Sequence, residues 1–274
     1  MHARNAAART DHTPSMFGPA SDRTVTPFLE GITINHGPRP LLGRFFLLAD
    51  QAARARGISL EFSSMEQLVK INKLNPSTWR PILPHYDAQY GGIHSENSFC
   101  IVGRNMDGEV VATQAARLYD WTGTTLMEEA STLRLFYPQP SLMAQRGERC
   151  TITAPHAGSI TGRVAFTGAA WYRPDHRGRD LATVLPRIAR AYAFAKWCTD
   201  CNITFIAERL VETGLAQRCG YTKVEFAVEL ENFAIGAYRG ALVWMAATDM
   251  LEDLSKFAAT GVSQIDTRVE KRRA

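Results

Sequence analysis

The run Arg177-Gly178-Arg179-Asp180-Leu181-Ala182 places two guanidinium groups and a glycine where a strand gives way to a helix. The apolar run Thr161 to Tyr172 reads as the strand, and Pro174 ends it. The first N–H groups of a helix have no backbone partner and lie at the positive end of its dipole. A pyrophosphate fits such a site. Gly178 lets the backbone approach a phosphate closely, and Arg177 and Arg179 add charge-assisted hydrogen bonds. The alternative reading of the same residues is a solvated basic loop.

Several elements must hold that turn. The helix expected from Asp180 to Trp197 carries Leu181, Val184, Leu185, Ile188, Tyr192 and Ala195 on one face. Pro186 inside it demands a kink or irregular first turns. Asn202 to Ala207 reads as a short strand, Val211 to Arg218 as a short helix closed by Gly220, and strands follow near 222–230 and 240–247. Upstream, Pro38 to Gly57 has helical apolar spacing. A second helix follows, with a capping box from Ser63 to Glu66 and a stop at Pro76. Asp107-Gly108 is the turn of a hairpin spanning about 97–118. Residues 120–160 read as an insertion with one amphipathic helix, a pattern common to binding loops and lids. The whole predicts a mixed α/β fold in three layers, with a central, mostly antiparallel sheet and helices on both faces. One domain spans 23–258, flanked by a disordered tail over 1–22 and a polar C-terminal tail over 259–274.

Composition narrows the function classes. The 274 residues are 45% hydrophobic and 21% charged, which suits a large packed core. The net charge of +4 fits anionic ligands without naming one. No run of apolar residues is long enough to span a bilayer, and the N-terminus lacks a secretory apolar region, so no membrane partner and a cytoplasmic location are expected. No nucleic-acid partner is expected from the scattered arginines Arg177, Arg179, Arg187 and Arg190 or from the tail Arg268 to Arg273. Five dispersed cysteines argue against a disulfide framework. Cys198-Thr199-Asp200-Cys201 falls at a helix end, where the dipole raises a thiol pKa, and no second ligand pair completes a metal site.

The run Arg177 to Ala182 resembles the acyl-CoA-binding motif of the GCN5-related N-acetyltransferases, R/Q-x-x-G-x-G/A after a strand ending in proline. Arg177 matches its first position, Gly178 the glycine that commonly follows, and Ala182 its last. Asp180 stands where the central glycine usually is. Leu215-Ala216-Gln217-Arg218-Cys219-Gly220-Tyr221 is similar to that family's short helix ending in Gly-Phe or Gly-Tyr. The resemblance covers about 97–247.

It implies an acyltransferase fold with acetyl-CoA or another acyl-CoA as cosubstrate and no metal. The strand before the motif would splay from its neighbour, and Ala170, Trp171 and Tyr172 would pair with the pantetheine arm. Arg177, Gly178, Arg179, Asp180, Leu181 and Ala182 would hold the pyrophosphate. An N–H near Ala170 or Trp171 would stabilise the tetrahedral oxyanion. The family's tyrosine acid, four residues before the glycine, is replaced by Ala216. Glu208, at the end of the next strand, is the candidate general base. Asp175 and His176 read as turn residues, and His156 as an exposed loop residue. The implied acceptor is a small-molecule or peptide amine, and the implied assembly a monomer or homodimer. Two alternatives stand beside this reading. One is a non-catalytic acyl-CoA-binding module. The other is a longer-chain N-acyl amino acid or autoinducer-type synthase whose channel would use Leu126, Met127, Leu133 and Phe136.

Overall fold

The computed structural model describes residues 26–273, with side chains through 260; the N-terminal segment expected as a disordered tail lies outside the described residues. In chain order the elements are β1 (Thr26–Pro27), α1 (Arg39–Ala55), β2 (Ser59–Ser63), α2 (Met65–Leu74), β3 (Ser98–Arg104), β4 (Val110–Trp121), α3 (Leu126–Ser131), α4 (Ser141–Gln145), β5 (Arg149–Ile152), β6 (Gly162–Tyr172), α5 (Leu185–Trp197), β7 (Cys201–Ala207), α6 (Glu208–Val211), α7 (Leu215–Arg218), β8 (Lys223–Glu231), β9 (Tyr238–Ala246) and α8 (Ala247–Arg273). The strands form one sheet in the order β1-β2-β3-β4-β6-β7-β9-β8-β5. Among the described residues only β6 and β7 run parallel, joined through α5; every other pairing is antiparallel.

Two apolar layers cover the sheet. On one face α1, α5 and α8 bury Phe45, Phe46, Ile188, Tyr192 and Leu254 against β3 and β4. On the other, α2 and α3 bury Leu68, Leu126 and Ala130 with Phe136 and Tyr86. This is the fold class expected, a mixed and mostly antiparallel sheet with helices on both faces.

Several local expectations need correction. The second helix is capped by Ser64, which accepts from the Gln67 N–H, because Ser63 still belongs to β2, a strand the periodicity reading overlooked. The segment 120–160 is not a lid. Its Leu126, Leu133 and Phe136 are core residues at most 2% exposed, and its β5 extends the sheet by pairing with β8. Only Met127 of the four channel candidates is exposed. Beyond β9 the chain forms α8, where Met250, Leu254 and Ala258 recur every four residues and pack inward. This helix runs to Arg273, through the segment expected as a polar tail.

The helix expected from Asp180 begins at Leu185. Pro186 lies in the first turn of α5, where its missing N–H costs nothing, and a 3-10 turn over Leu181–Thr183 precedes it. Irregular first turns are therefore how the chain accommodates Pro186.

Candidate active site

The sheet opens at its parallel pair. β6 and β7 are in register only over Val164–Phe166 and Cys201–Ile203. Past those residues β6 continues to Tyr172 along β4, and β7 continues to Ala207 along β9. The strands part, and the facing backbone groups lose their ladder partner. A bulge widens the opening. Ala115 pairs with Gly168 and Thr113 with Trp171, so Ala169 and Ala170 together face Gln114. Ala169 takes a left-handed φ of 47°. The Thr113 hydroxyl donates to the Ala169 carbonyl at 2.8 Å and Gln114 Nε2 to that of Gly168 at 3.2 Å, which holds the bulge in place.

Polar groups close the apex of the opening. Tyr221 OH donates to Asn202 Oδ1, and Thr167 Oγ1 lies 3.2 Å from both. Asn202 Nδ2 donates to the Ala165 carbonyl at 3.1 Å. Arg190, fully buried, stacks 4.3 Å over the Tyr221 ring. Gly220 has to be glycine: its φ is +87°, and a Cβ there would lie 2.5 Å from Arg187 Nη2 and 2.6 Å from the Asp253 carboxylate. The Gly220-Tyr221 pair thus has two separate jobs, close approach and apex closure. From the opposite face Tyr86 OH donates to the Phe166 carbonyl at 3.3 Å.

The basic turn sits at the mouth. Gly178 has φ +75° with open space where a Cβ would stand. Asp180 also takes a left-handed φ, 56°, and its side chain caps nothing. Aspartate is one of the residues that tolerate this conformation, which is how it occupies a position the motif usually fills with glycine. Among the described residues, the N–H groups of Gly178, Arg179, Asp180, Leu181 and Ala182 make no backbone hydrogen bond, whereas the next two, of Thr183 and Val184, close onto Asp180 and Leu181. The result is a consecutive run of free donors in which Gly178, Arg179 and Asp180 are exposed, Leu181 is buried and Ala182 is half-exposed. This run of donors precedes α5 instead of opening it.

The remaining expected residues fall as follows. Ala170 is exposed, Trp171 is buried and Tyr172 half-buried. The Tyr172 hydroxyl is buried without a hydrogen-bond partner, and burial, reinforced by the Cys219 thiol, pushes its phenol far up. Arg177 Nε donates to the Tyr172 carbonyl and its Nη2 to the Thr78 carbonyl, both at 3.1 Å. Arg179 is exposed, with its guanidinium over Gly57. Glu208 is exposed at the start of α6, directly after β7. Ala216 is fully buried, so α7 offers no hydroxyl here. Asp175 is held in a bidentate pair by Arg173 at 2.8 Å, which keeps its carboxyl well below the usual range and braces the turn. His156 is exposed, 2.7 Å from Glu225 and distant in sequence from the turn. Arg187 and Arg190 are paired with Asp253 on α8.

The sequence reading missed the loop 76–90, where no motif stands. Trp79 stacks on Trp171 at 5.5 Å and 12°, and Trp171 Nε1 donates to Thr78 Oγ1 at 3.3 Å. The only sequence signal was its unusual density of proline and aromatic residues.

No family model and no curated protein matches this sequence. Among solved structures, mutant forms of the spermidine/spermine N-acetyltransferase SpeG from Vibrio cholerae are similar at 14% identity and a TM-score of 0.42, over 72% of this chain and 97% of that one. A protein from Bacillus halodurans is similar at 12% identity and a TM-score of 0.44, over 74% and 92%. Likenesses this distant fix neither activity nor substrate. Among the described residues no helix is long and apolar enough to cross a membrane.

Proposed function

We propose that this protein is an acyl-CoA-dependent N-acyltransferase of the GCN5-related type, moving an acetyl or other acyl group to an amine. One observation carries the reading: a run of free N–H donors at 178–182 stands at the mouth of a gap between two parallel strands. The donors and Arg179 suit a pyrophosphate. The edge of β6 that faces the gap, past its last pairing with β7 at Phe166, suits an extended amide-bearing arm, as an exposed strand edge pairs with any extended partner.

The amine attacks the thioester carbonyl directly, and the carbonyl oxygen takes up negative charge. An N–H of the bulge, at Ala170 or Trp171, points a fixed dipole at that charge. Glu208 at the end of β7 takes the proton the amine sheds, directly or through water.

Binding of acetyl-CoA and longer acyl-CoAs, measured by calorimetry on the wild type and on Gly178→Glu, tests the donor site. The variant places a carboxylate in the run of donors and strains the left-handed φ, so binding is expected to be lost. Unchanged affinity would sink the assignment. The buried Ala216 favours a second reading, a non-catalytic acyl-CoA-binding module. The two separate on thiol release with an amine panel, which only the transferase gives.

A further inference from the structure

His85 sits in a 3-10 turn, Pro84–Tyr86, of the loop 76–90 and is wholly buried. Four rings enclose it: Tyr86 at 4.2 Å, Phe166 of β6 at 4.4 Å, Phe136 at 5.7 Å and Tyr119 of β4 at 6.5 Å between centroids. Neither ring nitrogen has a hydrogen-bond partner among the described residues. A neutral imidazole leaves one donor and one acceptor unmet there; an imidazolium would leave two donors and a charge.

The groups around the ring offer that charge no balance. Arg117 of β4 donates from Nη1 to the His85 carbonyl at 2.9 Å and from Nη2 to the Gly92 carbonyl at 3.0 Å, and its guanidinium stacks 5.1 Å over Tyr119. Its Nε is buried without a partner. Burial raises the phenols of Tyr86 and Tyr119, so both stay neutral. Behind Tyr119, Glu129 is taken up by Arg134; two residues beyond His85, Asp87 is taken up by Gln89. A proton on His85 would put a second cation into an apolar box beside Arg117. Burial first, and the Arg117 charge second, hold the imidazole well below its ordinary range.

The loop is built to leave as a unit. Among the described residues its backbone hydrogen bonds from Tyr86 to Gly91 close within the loop: Tyr86 onto Leu83, Asp87 onto Pro84, Tyr90 onto Asp87 and Gly91 onto Ala88. Side chains make its contacts with the sheet. The Tyr86 hydroxyl donates to the Phe166 carbonyl at 3.3 Å, Arg117 holds the His85 carbonyl, and Trp79 stacks on Trp171. Gly168 makes room for the phenol, since a Cβ there would lie 2.7 Å from the Tyr86 oxygen. These contacts cover β6 from the last residue that pairs with β7, Phe166, to the far side of the bulge. A segment held by a few side chains opens at lower free energy than the ladder beneath it.

We propose that His85 is an acid-sensitive latch: uptake of one proton releases the loop 76–90 from the sheet and uncovers the face of β6 that borders the gap. The latch does not depend on the transferase reading. In the released loop the imidazolium reaches water and titrates near its ordinary value of about 6.5, whereas in the closed loop the neutral ring is favoured. The closed form is therefore fully favoured above that value and loses ground as pH falls below it.

Hydrogen exchange on the full chain at pH 7.5 and pH 5.5, with each rate divided by the intrinsic rate at that pH, tests the latch above the range of ordinary carboxylates. Protection of the Tyr86 and Asp87 amides should fall about tenfold between the two, the change one such proton gives. It should stay below the protection of Ile101 and Val102 in β3 at both. His85→Phe keeps a ring in the box and cannot take the proton, so its loop protection should be the same at both pH values. His85→Leu, closer in volume, makes the same comparison where the larger ring does not fit. Three results each overturn the proposal: wild-type loop protection that does not change with pH, the same tenfold loss in a variant without His85, or loop and β3 amides that are equally protected, which would assign the proton to global unfolding.

Discussion

Arg177 donates to the main-chain carbonyl of Thr78 at 3.1 Å across 99 residues of chain, while the same guanidinium holds the Tyr172 carbonyl. One side chain thereby ties the turn at 177–182, the end of β6 and the loop that carries Trp79. Arg177→Ala removes the tie. Hydrogen exchange over residues 76–82 should accelerate, and acyl-CoA affinity should fall about tenfold, the worth of one charge-assisted contact. Arg177→Lys keeps the charge but loses the planar fork, so it should recover affinity in part without recovering loop protection. Exchange in the loop identical to wild type for Arg177→Ala would show that the tie holds nothing.

The cysteines should separate cleanly by reactivity. Cys198 ends α5 exposed, with a left-handed φ of 53°. Cys201 is buried in β7, and burial pushes its thiol up to about 12, as it does that of Cys150. Cys100 and Cys219 are also buried and shifted up. A thiol reagent at pH 8 should therefore modify Cys198 alone in the native protein and all five cysteines in denaturant. Fast modification of Cys201, or a disulfide between it and Cys198 under mild oxidation, would contradict the buried, structural role of Cys201.

Where residue chemistry is local, the fold could be read in advance. The turn at 177–182 was legible because Pro174, Gly178 and the arginines each act on their own backbone. The position of α5 shifted by several residues because proline prefers the first turn, a preference that outranks apolar periodicity. The strand β2, Ser-Leu-Glu-Phe-Ser, is too short to stand out between two helices. In α8 the spacing of Met250, Leu254 and Ala258 was available but sits among many polar residues. The bulge at Ala169 had no signature, since alanine rarely takes positive φ and only the hydrogen bonds from Thr113 and Gln114 keep it there. The aromatic box joins His85 to Tyr119, Phe136 and Phe166, and no local pattern encodes such a meeting.

Asp253 makes α8 part of the site's foundation. It accepts from Arg187 Nε at 2.9 Å, Arg187 Nη2 at 3.0 Å and Arg190 Nη2 at 3.2 Å. Arg190 is wholly buried, and two of its nitrogens already lack partners. Asp253→Asn would leave two guanidinium groups without their counter-charge at nearly constant volume. Breaking a buried pair from one side costs about 3 kcal/mol. Urea unfolding should report a loss of that order; a loss below about 1 kcal/mol would mean that the Cys219 carbonyl and the Tyr221 ring suffice for Arg190.

Glu225 sets an acid limb on stability. Burial raises its pKa, but hydrogen bonds from Trp244 Nε1 at 2.9 Å, from the His156 N–H and from the His156 ring at 2.7 Å together outweigh it, so the net shift is downward. A carboxyl with a folded pKa below its unfolded value of about 4.3 stabilises the fold fully above that value. The contribution disappears as pH falls through the lower, folded pKa, because protonation then favours the unfolded chain. The half-exposed position of His156 keeps the effect to about 1 kcal/mol or less. Glu225→Gln preserves the acceptor for Trp244 but not the charge. Its stability should therefore fall short of wild type at pH 6, the gap closing below about pH 4.3 as pH falls through the lower, folded pKa. The measurement is urea unfolding of both proteins across that window. A gap that stays constant with pH would show that the carboxylate charge contributes nothing and that Glu225 serves β8 and β9 only as a neutral hydrogen-bond acceptor.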